Sequence, residues 1–200
     1  MTKILIITLL LFSSTLQIFI PIASQNRKDI SKIQLTDIGQ FGLVRKARKE
    51  VPQHLHTGID IKRPGKNYEA EPVYPIAAGK VISKRTDGPY ANIILEHEMN
   101  GNKLWTLYEH VAGITVKVNE SVDPQKSMAR FMNKKELNKY GWQFDHFHLE
   151  IIKVRPEEIK PDKDHPEHFF NAHTLTCYST EYLQKYYLEP LDFMKLHLNR

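Results

Sequence analysis

Two short segments that lie far apart in the sequence carry side chains able to bind a catalytic zinc ion together. One is His146-Phe147-His148, whose continuation as Leu-Glu-Ile-Ile predicts a strand with both imidazoles on one face. The other, residues 56–60, contains a glycine and is flanked by prolines, which argues against a helix. Isoleucines on either side of Asp60 would be buried and leave its carboxylate on the opposite face. Two imidazoles and one carboxylate are therefore available to one metal ion.

The type of donor distinguishes a catalytic zinc site from a structural one. Catalytic zinc usually takes three nitrogen or oxygen donors and leaves a fourth position for water, whereas structural zinc is usually closed by four ligands rich in cysteine. Because Cys177 is the single cysteine of the chain, a structural cysteine site is excluded. Any one of the ten histidines taken alone is more often an ordinary surface or hydrogen-bonded residue, so it is the combination that favours a metal site.

The middle of the chain, which must position these side chains, is predicted to form antiparallel strands. Runs of strand-like composition occupy residues 80–85, 91–97 and 103–108, and residues 114–118 continue the series. The Asn100-Gly101 pair between the second and third runs is typical of a tight hairpin. We therefore expect a mainly β fold built on an antiparallel sheet.

The C-terminal part is predicted to contain a loop and a short helix. From Arg155 to Pro166 the composition shifts to proline and charged residues, which indicates a surface loop or insertion. Ser179 can cap a short helix that runs through Tyr187, and Pro190 is expected to stop it. The expected fold is thus mainly β with a short C-terminal helix.

Three motifs in one order resemble those of the lysostaphin/LytM-type zinc metallopeptidases, which cut the peptide part of bacterial peptidoglycan. They are His-x-Gly-x-Asp at residues 56–60, Tyr-x-His at residues 108–110 and His-x-His-Leu-Glu-Ile at residues 146–151. Order and spacing agree over roughly residues 50–152, and residues 189–194 resemble the closing segment of the family. A lone His-x-His would be weak, but three motifs in the right order are specific.

The resemblance implies a role for each of five residues. His56, Asp60 and His148 would be the zinc ligands, whereas His146 and His110 would be catalytic without binding the metal. One of these two histidines would take a proton from water and the other would stabilise the oxyanion, in an order that the sequence leaves open.

Other residues near the motifs need a separate interpretation. His97-Glu98 resembles the start of a zincin helix, but position 101 is glycine and the His-Glu-x-x-His motif fails, so we expect His97 near the sheet edge or the cleft. Glu150 is expected to support a ligand or form a salt bridge rather than act as general base. Asn119 replaces a glycine of the family pattern and can still adopt a left-handed conformation.

The N-terminal segment has the composition of a secretory leader. Residues 1–24 combine Lys3, an apolar run and small residues before a polar stretch, which predicts a signal peptide cleaved after Ser24. Polar residues and a proline interrupt the run and favour cleavage, although its length leaves a retained anchor open. We expect a secreted or periplasmic protein with no stable membrane insertion after cleavage.

The remaining residues are sufficient for one domain. The 200 residues, 41% of them hydrophobic, fit a single core, and we expect the following division: an N-terminal arm at residues 25–49 and a peptidase domain at residues 50–200 with an insertion around residues 155–178. A formal net charge of +5 suits a protein that works on the anionic cell wall, with peptidoglycan stem peptides or cross-bridges as the partner. The leader and the lack of a dense Lys/Arg stripe argue against nucleic acid.

The resemblance implies a zinc-dependent endopeptidase, with Zn²⁺ as cofactor, that hydrolyses peptide bonds in peptidoglycan. One alternative is a non-catalytic LytM-like regulator that binds and activates a cell-wall amidase, but such proteins usually lack ligands and every position is filled here. A lipoyl- or biotinyl-like carrier module is suggested by residues 77–82, Ala-Ala-Gly-Lys-Val-Ile. It predicts a modifiable lysine in a tight hairpin and leaves the histidines unexplained.

Overall fold

An antiparallel sheet of seven strands is the largest element of the computed structural model, which describes residues 16–171 and 176–198. The strands are β1 (Val44–Arg45), β2 (His54–Leu55), β3 (Ile59–Lys62), β4 (Pro72–Val73), β5 (Gly79–Arg85), β6 (Asn92–Met99), β7 (Asn102–Glu109), β8 (Val111–Ala112), β9 (Ser121–Val122), β10 (Ala129–Phe131), β11 (His146–Ile152) and β12 (Tyr187–Leu188). The α-helices are α1 (Lys134–Tyr140), α2 (Thr180–Tyr186) and α3 (Pro190–His197).

Strand β11 lies at the centre of the pairing that builds the site. The large sheet has the order β12-β11-β7-β6-β5-β9, and β3 also pairs with β11. Strands β4, β10 and β8 form a second sheet, and β1 pairs with β2. All these pairs are antiparallel, which confirms the prediction of a mainly β fold with an antiparallel sheet.

The predicted hairpin is present and joins β6 to β7. Asn100 and Gly101 both have positive φ, +52° and +76°, as a two-residue hairpin turn with the twist of the strands requires. The three strands predicted at residues 80–85, 91–97 and 103–108 are confirmed as β5, β6 and β7.

The prediction of a further strand at residues 114–118 is wrong. The amide of Thr115 donates to the carbonyl of Met128, but no ladder of strand pairing follows. Val116 is buried, and Ile114 and Val118 pack partly against the core. The alternating apolar residues of this segment are therefore explained by burial of their side chains and not by pairing with another strand. The segment ends at Asn119, whose φ of +70° is the left-handed conformation expected there.

The two faces of the large sheet carry different groups. Phe147, Leu149 and Ile151 lie on the face that packs into the main core, where Tyr108 is also fully buried. Because side chains alternate along a strand, the histidines and the glutamate of β11 lie on the other face. A second apolar cluster, which includes Ile152 at the end of β11, packs on that other face. The two histidines predicted for the site thus lie at the beginning of β11.

Residues 16–24 pack in the main core. Ile18, Ile20 and Ile22 are fully buried, and Ile22 forms an antiparallel bridge with Val73. Full burial of an isoleucine contributes roughly 1.5–3 kcal/mol, so three together contribute an amount comparable to the net stability of a small domain, about 5–15 kcal/mol. The expected signal peptide at residues 1–24 therefore overlaps this packed segment, while its first fifteen residues lie outside the described part. No helix in residues 16–171 or 176–198 is both long enough and apolar enough to span a bilayer.

The C-terminal region contains two short helices. The hydroxyl of Ser179 accepts a hydrogen bond from the amide of Tyr182 and caps α2 as predicted. Pro190 does not stop that helix but begins α3, because a proline at the first helical position needs no hydrogen-bond partner for its nitrogen. Between β11 and α2, the described residues form no strand or helix beyond one isolated bridge, Glu158 to Phe170.

Candidate metal centre

The antiparallel pairing of β3 with β11 brings three predicted ligands together. His148 lies opposite Asp60 in the register, and His56 lies three residues before the start of β3. Nε2 of His56 lies 3.1 Å from Oδ1 of Asp60 and 3.0 Å from Nδ1 of His148, and Nδ1 of His148 lies 3.0 Å from Oδ1 of Asp60. These three atoms form a nearly equilateral donor triangle, and all three residues are buried.

The donor triangle fits a zinc ion. At zinc–donor distances of 2.0–2.1 Å, two donors of a tetrahedral site lie about 3.3 Å apart, close to the edges of this triangle. Two ring nitrogens and a carboxylate oxygen that face one another all have lone pairs, so their approach requires a proton or a metal cation between them. The three nitrogen and oxygen donors also match the ligand number of catalytic zinc. His56, Asp60 and His148 are therefore the residues that would hold the metal.

Two of the predicted ligands, His56 and Asp60, each make a further hydrogen bond through their other polar atom. The Nδ1 atom of His56 lies 2.9 Å from the carbonyl oxygen of Gln40 and can donate to it, which leaves Nε2 free to bind a cation. Oδ2 of Asp60 accepts a hydrogen bond of 2.6 Å from the guanidinium of Arg45, so that Oδ1 alone faces the donor triangle. Sequence reasoning missed Gln40 and Arg45, because both lie in the expected arm and only the fold brings them to the site.

Gly58 is required for the approach of β3 to β11. A Cβ atom at this position would overlap the carbonyl oxygen of Leu149 and lie 2.8 Å from Cε1 of His148. The glycine in the His-x-Gly-x-Asp motif therefore leaves room for a ligand ring and a neighbouring strand, and any side chain there would separate the two halves of the donor triangle.

The two predicted catalytic histidines lie beside the donor triangle. Nε2 of His146 is 3.7 Å from Oδ1 of Asp60, and the ring centroids of His146 and His110 are 5.2 Å apart. His110 follows the end of β7 with a φ of +62°, and its Nδ1 is hydrogen-bonded to the carbonyl of Pro89. The structure thus brings all five predicted site residues together, and His110 and His146 are less buried than the donor triangle beside them.

Burial keeps the two predicted catalytic histidines neutral. Burial and the neighbouring His146 lower the pKa of His110 to about 3. Burial also lowers the pKa of His146, although Asp60 acts in the opposite direction. At neutral pH both rings therefore have a lone pair that can accept a proton, as a general base requires.

The charges of the predicted ligands favour a cation. Burial alone would keep Asp60 protonated, but hydrogen bonds from His148 and His56 hold the pKa of Asp60 well below its usual range. Burial also opposes a charge on His148, yet its hydrogen bonds to Asp60 and Glu150 raise the pKa of His148 to about 10. A positive charge, from a proton or a metal, is therefore stabilised at this position.

A row of polar side chains extends from the donor triangle across the sheet. Successive partners in the strand register are Asp60, His148, Glu109, Asn92 and Arg85. Burial raises the pKa of Glu109 to about 7. The motif Tyr-x-His allows any residue at its middle position, so it did not identify Glu109. Because side chains alternate along a strand, a buried Tyr108 could have indicated that the Glu109 carboxylate lies on the face of the site.

The expectation that His97 lies near the sheet edge or the cleft is wrong. His97 is buried on the core face of β6, together with Ile93 and Leu95. Its Nδ1 is hydrogen-bonded to the carbonyl of Ala78 and its Nε2 to the hydroxyl of Thr106. With both ring nitrogens occupied on the far side of the sheet, His97 takes no part in the metal centre.

Comparison with known proteins relates the chain to one family. The model of Peptidase family M23 matches residues 54–161, a range that contains all five site residues. The fold is similar to a solved structure described as "NMR solution structure of lysostaphin", with a TM-score of 0.48 and 16% sequence identity. That alignment covers 84% of this chain and 52% of the other, so the chain spans about half the length of the matched structure. No curated protein matches the sequence.

Proposed function

The chain belongs to Peptidase family M23, and on that premise we propose that it is a zinc-dependent endopeptidase that hydrolyses peptide bonds in bacterial peptidoglycan. The observation that carries this proposal is the complete set of groups around one point. His56, Asp60 and His148 form the donor triangle, and His146 and His110 lie beside it with neutral rings. A peptidase needs both parts, a place for the metal and groups that move protons next to it.

Each side chain has a separate task in this reaction. Zinc, when bound, supplies a Lewis acid that polarises the scissile carbonyl and makes water easier to deprotonate. His110 donates from Nδ1 to the carbonyl of Pro89, so its Nε2 lone pair can accept the proton of the attacking water, and His146 stabilises the developing oxyanion by donating a hydrogen bond. The hydrogen bond from Arg45 to Oδ2 of Asp60 fixes the carboxylate that holds the metal.

The substrate and location of the enzyme belong to the same proposal. We place it outside the cytoplasmic membrane, secreted or periplasmic, with stem peptides or cross-bridges of peptidoglycan as its partner. The formal net charge of +5 supports this choice, because a basic protein is attracted to an anionic wall polymer.

The alternatives make different use of the same residues. A regulator that activates an amidase needs no metal, and it gives no reason for three converging donors with a charged Asp60 among them. A carrier module needs its lysine at the tip of a hairpin. Lys80 instead lies within β5, where its partners in the strand register are Glu96 of β6 and Ser121 of β9. The peptidase therefore accounts for more of the observed geometry than either alternative.

The test is digestion of defined muropeptides by the purified protein, with products identified by mass. We expect about one zinc per chain, release of a peptide fragment, loss of cleavage after chelation and recovery when zinc is added back. Cleavage that persists in metal-free protein would contradict the zinc mechanism. Stimulation of an amidase without any cleavage by the protein itself would favour the regulator.

A further inference from the structure

A buried carboxylate that the proposed reaction does not use lies behind one ligand. Glu150 is on the same face of β11 as His148, two residues further along, and is fully buried. Its Oε1 atom lies 3.1 Å from Nε2 of His148 and accepts a hydrogen bond from the hydroxyl of Thr57. Thr57 is also fully buried and stands between His56 and the glycine of the first motif. A buried carboxylate is retained in a fold only when such partners compensate for its lost hydration.

These contacts determine which nitrogen of His148 faces the metal. To donate a hydrogen bond to the Glu150 carboxylate, Nε2 must keep its proton, so Nδ1 is the nitrogen that offers its lone pair when a metal replaces the second proton of the ring. Nδ1 is the atom of His148 that belongs to the donor triangle. His56 has the opposite arrangement, because its Nδ1 contacts a backbone carbonyl and its Nε2 belongs to the triangle.

We propose that Glu150, held by Thr57, is a positioning residue that fixes the ring and the tautomer of His148 so that the zinc site is formed before the metal binds. The Thr57 hydroxyl ties this carboxylate to the segment that supplies the other two ligands. The pair therefore joins the two halves of the centre on the Nε2 side of His148, away from the donor triangle. This inference rests on the proposed function only in requiring that the wild-type protein binds zinc.

Two variants test the role of this pair through zinc affinity, measured by competition with a chromogenic chelator. Glu150→Gln keeps the size of the side chain and one acceptor oxygen but removes the charge that strengthens His148 as a ligand, and we expect zinc to bind roughly 10- to 100-fold more weakly. Thr57→Val removes only the hydroxyl that holds the carboxylate, and we expect a smaller loss of zinc affinity in the same direction.

A matched control separates positioning from general stability. Thr106→Val makes the same exchange at another fully buried threonine, whose hydroxyl bonds to His97 on the core face of the sheet. We expect it to lower the Tm of the metal-free protein and leave zinc affinity unchanged. Wild-type zinc affinity in both Glu150→Gln and Thr57→Val would overturn the inference, as would an equal loss in Thr106→Val. If the wild-type protein itself binds no zinc, it is the proposed function that fails.

A second inference comes from an independent part of the fold, the packed N-terminal segment. The amide of Phe19 donates to the carbonyl of Ile76, and the amide of Tyr74 donates to the carbonyl of Pro21. The guanidinium of Arg27 donates from Nε to the carbonyl of Ile20 at 2.9 Å and lies 4.1 Å from the centre of the Tyr74 ring. Backbone bonds on both sides of three buried isoleucines make this segment resemble an internal strand of the domain.

We infer that residues 16–24 are a structural part of the mature domain and that any peptidase that removes a leader cuts before residue 16 instead of after Ser24. The buried faces of Ile18, Ile20 and Ile22 would otherwise leave a cavity in the main core, next to Val73. Arg27 would also lose the carbonyl of Ile20 as an acceptor.

Export of the full chain and of its Ile20→Ala variant tests this second inference. If residue 20 is retained, the two exported proteins differ in intact mass by the lost side-chain atoms, and the variant has a lower Tm because of the cavity. An exported protein that begins at Gln25, with identical mass and Tm from both genes, would overturn the inference. The comparison is decisive whether or not a leader is removed, because an uncleaved chain also reveals the effect of Ile20 on Tm.

Discussion

Asp60→Asn is expected to lower zinc affinity by more than the roughly 10- to 100-fold that follows loss of an outer partner of a ligand. Asparagine keeps the size of the side chain and one acceptor oxygen, but a doubly charged ion would then face only neutral donors. The effect is enlarged by Arg45, whose guanidinium lies 2.6 Å from Oδ2 and would face the site without a compensating charge. Activity should return only at raised zinc, as measured by zinc titration of muropeptide cleavage.

Two further substitutions show which property of Asp60 matters. Asp60→Glu keeps the charge but moves the oxygens by one methylene, away from a backbone fixed by Gly58 and the pairing with His148, so it should bind zinc and still react poorly. His148→Ala removes one of the proposed ligands and should abolish zinc binding. This variant therefore shows the lowest zinc affinity expected in the series.

Asp87→Asn is the matched control for this series. It makes the same exchange in another arginine–aspartate pair, Arg85 with Asp87 at 3.0 Å, on the exposed surface. We expect wild-type zinc affinity and activity from it. Unchanged zinc affinity together with normal cleavage in Asp60→Asn would defeat the model of the site, and with it the main reason to assign a metallopeptidase.

Local patterns predicted those parts of the fold that local physics decides. The alternation of residues 146–151 placed two histidines on one face and apolar side chains on the other, and the register with β3 then set His148 opposite Asp60. The Asn100-Gly101 pair specified its hairpin because both residues tolerate positive φ. The three motifs resembled a family for the same reason, since each contains its own strand or turn.

The sequence could not distinguish features that depend on distant partners. An apolar run such as residues 16–22 is compatible with a leader and with a buried strand, and only the contacts with Val73 and Ile76 show its packing. The run at residues 114–118 has the composition of a strand, but no partner strand for it lies within residues 16–171 or 176–198. Arg45 carries no local pattern that relates it to Asp60, because tertiary structure alone brings the two side chains into contact.

The second prediction with a large effect concerns the histidines outside the donor triangle. His146→Ala and His110→Ala should each keep about one zinc per chain and fold normally, yet lose roughly 100- to 10,000-fold in kcat, the usual contribution of a positioned proton-transfer group. The structural reason is that Nε2 of His146 lies 3.7 Å from Oδ1 of Asp60, outside the triangle, and the His110 ring lies beyond it. Zinc content, Tm and kcat for a muropeptide measure the three quantities separately.

The control and the double variant decide what the two histidines do. His165→Ala removes a histidine paired with Asp87 and Asp162 away from the centre, and it should change neither zinc content nor kcat. If His146 and His110 act in the same transition state, the double variant should lose much less than the product of the two single losses, because residues that act as a unit are not additive. Loss of metal in either single variant would mean that ligand and catalyst are exchanged in the assignment. Near-normal kcat in both variants would mean that neither histidine transfers a proton in the reaction. The proposed roles of His146 and His110 would then be wrong.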